Sequence, residues 1–137
     1  MLHNCLFFLF IAGLLLAGSC KNESKQQDGD PASNIDPALA RLNDALAQDP
    51  NNDSLLFRRA EVYYNLEGFD EALMDLGQAI RLDSLQPQYY HLLADVLLDY
   101  ARPNDSKRAI DVLLTAAYLF PDRIATLLKI GEFQLIV

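Results

Sequence analysis

Cysteine is scarce in this chain: 137 residues hold two, Cys5 and Cys20, both within the first 20. Charge is also missing from that stretch. All 11 basic and 19 acidic side chains lie after Cys20. Histidine occurs twice, as His3 and His91, so past Cys20 one imidazole and no thiol remain, which excludes a typical zinc site. No glycine-rich phosphate loop is present, and no Ser-His-Asp arrangement can be argued from spacing. Asp95 and Asp99 stand four apart on one predicted helix face, the spacing of a possible metal pair, but they read as a solvated acidic face. Without convergent groups the chain is not read as an enzyme, and no cofactor is implied. A Lys/Arg-rich run is absent too. With a formal charge of −8 the chain would repel nucleic acid, which is therefore not a partner. Disorder past Asn34 is excluded by frequent, evenly spaced apolar residues.

The opening segment is an apolar run, Leu6 to Ala17, of 12 residues. As a helix it would span about 18 Å, against about 30 Å of bilayer hydrocarbon. It is too short for a comfortable membrane span and fits the apolar part of a signal peptide, although the residues before it carry no Lys or Arg. The run ends in Leu16-Ala17-Gly18-Ser19-Cys20, which resembles a bacterial lipobox. The resemblance implies a signal peptide over residues 1–19, cleavage after Ser19, and lipidation of Cys20. Two or three acyl chains, at about 0.8 kcal/mol per buried methylene, anchor stably where one does not. Cleavage removes Cys5 and acylation blocks Cys20, so no disulfide is expected. Residues 20–34 then form the lipidated cysteine and a tether, "KNESKQQDGDPASN", broken by Gly29 and Pro31, with a root-mean-square span of about 20 Å. Lys21 stands where an Asp would hold a lipoprotein in the inner membrane, which points to the outer membrane of a bacterial envelope and leaves the periplasmic or surface face open.

Residues 35–137 repeat internally. Ala38, Ala45 and Pro50 recur 34 residues later as Ala72, Ala79 and Ser84, and 37 further on as Ala109, Ala116 and Pro121. A second series, Ala60, Ala94 and Gly131, takes the same two steps. Within a unit the pattern is helical: "SLLFRRAEVYYNL" sets Leu56, Ala60 and Tyr63 on one face, and "FDEALMDLGQAIRL" does so with Phe69, Ala72, Leu76, Ala79 and Ile80. Gly68 is expected to supply the positive φ of the turn between them. The alanines let helix backbones approach to about 8 Å.

Paired helices, a short turn and small residues at the crossings resemble the tetratricopeptide repeat (TPR). The resemblance implies an all-α, TPR-like α-solenoid of stacked antiparallel helix pairs. Its units are a half repeat over 35–52, repeats over 53–86 and 87–123, and an incomplete repeat over 124–137. Asp36 is expected to cap the first helix with Pro37 at its first position, and Asn104, Asp105 or Ser106 to cap the helix after "ARPNDSK". Arg59 and Asp75 should form a partly buried structural ion pair.

In this family the first helix of each pair lines a groove that holds a peptide or another protein. Carried onto this chain, the groove residues are Phe57, Arg58, Glu61, Tyr64, Asn65, Gln88, His91, Asp95, Leu98 and Asp99, followed by Leu128 and Glu132. Phe57, Tyr64 and Leu98 are expected there as exposed apolar anchors, replaceable without unfolding. Phe57 and Glu61 occupy two positions where related domains carry Lys and Asn to grip a C-terminal carboxylate, so that grip does not transfer. The function implied is a membrane-anchored scaffold for an unknown peptide or protein. The alternative is the N-terminal anchoring arm of a larger lipoprotein enzyme or nutrient-capture protein. The last helix is expected to display Ile124, Leu127, Leu128, Ile130, Phe133, Leu135, Ile136 and Val137, a surface calling for more sequence or another chain to cover it.

Overall fold

The computed structural model describes residues 36–136. The segment read as a signal peptide, Cys20 and the stretch read as a tether, and Val137 at the other end, lie outside the described residues. The helices run in the order α1 (Pro37–Gln48), α2 (Asp53–Asn65), α3 (Phe69–Leu82), α4 (Pro87–Tyr100), α5 (Asp105–Leu119) and α6 (Ile124–Ile136). Leading helices α2, α4 and α6 start 34 and then 37 residues apart, and each alternates with a returning helix, α1, α3 or α5. This is an all-α, TPR-like solenoid.

Each boundary has a local cause. Asp36 accepts the Ala38 amide at 2.7 Å with Pro37 opening α1, and Asn52 accepts the Leu55 amide at 3.0 Å at the head of α2. The turn after α2 closes with the Gly68 amide on the Tyr63 carbonyl at 2.8 Å and the Glu67 amide on Tyr64 at 3.0 Å, the paired bonds of a Schellman ending. The left-handed residue in it is Glu67, at φ 59°, while Gly68 has φ −77°. The expectation for Gly68 is thus corrected. A side chain at Gly68 would bring a Cβ within 3.2 Å of the Tyr63 ring, so its smallness serves close approach. Ala101, one repeat on from Glu67, is also left-handed, at φ 52°. At the head of α5, Asn104 holds the capping position at φ 72° but makes no side-chain cap bond. Asp105 turns instead to Arg102 and Arg108, at 3.0 and 2.6 Å. Burial opposes its charge, yet the two guanidiniums outweigh that and hold its carboxyl below the ordinary range.

The core is a chain of overlapping clusters. Leu46, Leu56, Ala79 and Tyr89 join the first four helices; Ala60, Ala72, Leu76 and Val96 join α2, α3 and α4; Ala94, Leu97, Ala109, Leu113 and Phe133 join α4, α5 and α6. No helix pair closes a core alone, and each needs the next. Ala60, Ala72, Ala79, Ala94, Ala109 and Ala116 are fully buried at the crossings. Arg59 donates two bonds of 2.7 Å to Asp75, tying α2 to α3, and a third of 2.8 Å to Asn43 on α1. Those bonds to Asp75 raise the guanidinium's pKa despite partial burial.

On α6 the exposed apolar side chains are Ile124, Leu127, Leu128, Leu135 and Ile136. Phe133 is buried and Ile130 packs half-buried against the same cluster, so these two leave the predicted surface. They face back toward α4 and α5, the neighbours of α6 among the described residues.

Candidate functional site

The predicted binding residues all lie on α2, α4 and α6, which form one side of the stack. The structure sorts them into two groups. Four polar bridges and one ring contact join neighbouring leading helices, and Phe57, Tyr64, His91, Asp95 and Asp99 belong to these rungs. Between α2 and α4, the Tyr89 hydroxyl donates to Asp53 at 2.5 Å, the Phe57 and Tyr89 rings lie 4.9 Å apart, and the Tyr64 hydroxyl donates to Asp99. Between α4 and α6, His91 Nε2 meets Thr126 Oγ1 at 2.8 Å and Lys129 donates to Asp95 at 2.8 Å.

These rungs correct the expectation of freely exposed anchors. Phe57, Tyr64 and Leu98 are each half-buried and pack against the core clusters. The reason is the stacking itself: a large side chain on a leading helix reaches the next leading helix before it reaches solvent. Burial, then the bonds to carboxylates, push the Tyr64 and Tyr89 hydroxyls up, Tyr89 to about 12. Both therefore stay protonated and donating at neutral pH. His91 moves down, first through burial and then through the nearby charges of Lys129 and Arg123, against the pull of Asp95. Asp95 is paired with Lys129, so it is not part of a freely solvated acidic face.

The second group is exposed. Arg58, Glu61 and Asn65 on α2, Gln88 on α4, and Leu128 and Glu132 on α6 stand out from the rungs, and Asp99, although it accepts the Tyr64 bond, is exposed beside them. Across the face the carboxylates Glu61, Asp95, Asp99 and Glu132 outnumber the cations Arg58 and Lys129, leaving it acidic.

Tyr89, Asp53, Thr126 and Lys129 were not among the residues inferred from sequence. A signal for them exists. The bridged pairs are 34 to 36 residues apart, close to the repeat step, so complementary polar residues one repeat apart mark the rungs. Elsewhere an open cleft of about 310 Å³ lies between α1, α2 and α3, lined by Asn43, Leu46, Ala47, Pro50, Leu56, Arg59 and Gln78. It lies at the N-terminal end of the stack and includes none of the predicted groove residues.

No family model matches the sequence. Solved structures do resemble it. TTC0263, a thermophilic TPR protein of Thermus thermophilus, shares 25% identity at a TM-score of 0.65, over 71% of this chain and 48% of its own. MamA shares 22% at a TM-score of 0.60, over 69% of this chain and 54% of its own. The first TPR of Spaghetti (RPAP3), solved bound to the HSP90 peptide SRMEEVD, shares 17% at a TM-score of 0.63, over 72% of this chain and 75% of its own. The chain spans about half the length of MamA and TTC0263. These neighbours establish the fold as that of TPR proteins.

Proposed function

We propose that this chain is a scaffold of the bacterial cell envelope, held to the outer membrane by acyl chains on Cys20, whose repeat domain captures an extended protein segment. The observation that carries the binding role is the two-tier side of α2, α4 and α6. Rungs hold the three helices in register, and Arg58, Glu61, Asn65, Gln88, Leu128 and Glu132 project beyond them. A pre-set face of this kind loses little conformational freedom on binding. Its role is to hold a partner, without a catalytic step. The bound peptide of the RPAP3 domain supports an extended ligand in general. Its acidic sequence does not suit this face, where Glu61, Asp99 and Glu132 would repel it; a segment carrying Lys or Arg fits. The anchor rests on the Leu16–Cys20 motif.

A photo-crosslinking residue placed at Gln88 should capture the partner in envelopes, whereas the same residue at Met74, 73% exposed on α3, should not. Equal capture from both positions would remove the leading-helix face from the reading. Palmitate-analogue labelling should be lost in Cys20→Ser, and equal labelling of both chains would remove the anchor.

A further inference from the structure

The extra three residues of the second repeat step fall between Ala94 and Ala109, which stand 15 apart where Ala60 and Ala72 stand 12 apart. Added length at a surface turn ordinarily projects into solvent. Here the turn between α4 and α5 folds back on the preceding repeat. Arg102 donates to Asp70, the second residue of α3, at 3.2 Å, and its guanidinium lies 4.1 Å from the centre of the Tyr100 ring. The Tyr100 hydroxyl donates to the other Asp70 oxygen at 2.8 Å, and the Tyr100 ring stacks on Phe69 at 5.1 Å. Through Nε the same guanidinium donates to Asp105, a carboxylate 1% exposed. One planar cation thus spans an exposed acid of one repeat and a buried acid of the next, a reach that suits the fork of arginine. In the shorter turn after α2, Gly68 stands 34 residues before Arg102 and has no side chain to reach back. Ala101 pays for the longer turn with a left-handed backbone, at φ 52°, which an alanine keeps only where contacts outside the turn hold it.

These contacts run on into the leading-helix face. The Phe69 ring also lies 6.2 Å from that of Tyr64, and Tyr64 donates to Asp99, the residue before Tyr100. We infer that Arg102 is a positioning residue: through Asp70 and Tyr100 it clasps one repeat to the next and holds the Tyr64–Asp99 end of the face in place. Neutralising Asp105 does not by itself account for Arg102, since Arg108 also holds that carboxylate, at 2.6 Å, and Asp70 would then have no part. The clasp is built from exposed groups, Arg102 at 41% and Asp70 at 65%, and such pairs are weak taken singly. Losing it therefore loosens the joint between repeats and leaves the helices formed. Its bearing on partner capture rests on the binding role proposed above, but the joint itself can be measured with no partner present, so the two fail separately.

The test places spin-labelled unnatural residues in the full chain and reads their separation by pulsed electron paramagnetic resonance. One pair, Asn65 and Lys107, straddles the joint at the clasped edge, and both residues are exposed. A control pair, Asn51 and Leu85, straddles the same joint at the opposite edge, and both are likewise exposed. Arg102→Ala and Asp70→Ala should each broaden the Asn65–Lys107 distances and shift them to longer values, with the Asn51–Leu85 distances and the helical content unchanged. Should Arg102→Ala lose helicity through Asp105, Asp70→Ala decides alone, because it leaves the Arg102–Asp105 bond in place. Distances unmoved by Asp70→Ala would overturn the clasp and confine Arg102 to its own turn. Equal broadening at both edges would also overturn it, since that would be a general loosening of the stack.

Discussion

Replacing Arg59 by Met removes one side chain and leaves three helices to respond. Asp75 is 7% exposed and accepts two 2.7 Å bonds from that guanidinium, so the substitution strands a carboxylate in the core. Breaking a buried pair costs about 3–5 kcal/mol. Arg59 is 23% exposed and water can follow its loss, which discounts the cost to about 2–3 kcal/mol. The bond to exposed Asn43 adds a few tenths at most. Against a stability of roughly 5–15 kcal/mol for a domain this size the loss is large. Urea unfolding followed by far-ultraviolet circular dichroism measures it. The double variant Arg59→Met with Asp75→Leu should recover most of the loss, since no charge is then stranded. A cost below about 0.5 kcal/mol for Arg59→Met, or a double variant as unstable as the two single losses added, would refute the reasoning.

Phe57→Ala and Tyr64→Ala should each destabilise by about 2 kcal/mol, half the usual cost of a fully buried aromatic, because both side chains are half-buried rungs; thermal melts unchanged by either would restore them as free anchors. Glu67→Gly should stabilise by about 1 kcal/mol by relieving a left-handed backbone, at φ 59°, that glycine adopts freely; a lowered melting midpoint would show that the Glu67 side chain matters more than its backbone. Because burial holds His91 below its ordinary 6.5, its contribution is fully present above that pH and is lost as pH falls from 6.5 toward the folded value. His91→Gln should flatten the fall in stability across that window, and an unaltered slope would assign it to other groups.

The helices and their repeat were legible because both follow from local rules. Apolar residues at helical spacing, Asp36 with Pro37, and alanines recurring at 34 and 37 residues record backbone constraints within one unit. The Arg59–Asp75 pair was legible for the same reason, since both partners sit in one repeat. The face was legible in position but not in exposure. A helical wheel sets Phe57, Tyr64 and Leu98 on the leading helices, but does not show that the next repeat helps to cover them.

By itself the sequence determined the fold class, the stacking step, and the helices whose faces line one side, since these depend on contacts between residues close in the chain. The Leu16–Cys20 motif on which the proposed anchor rests is likewise read from sequence alone. Tertiary structure decided which side chains on that side are spent as rungs and which remain to bind. It also placed the left-handed turn at Glu67 instead of Gly68, where the Schellman bonds require the residue before the close approach to Tyr63. Those outcomes depend on distances between residues of different helices, and only the packed stack sets them.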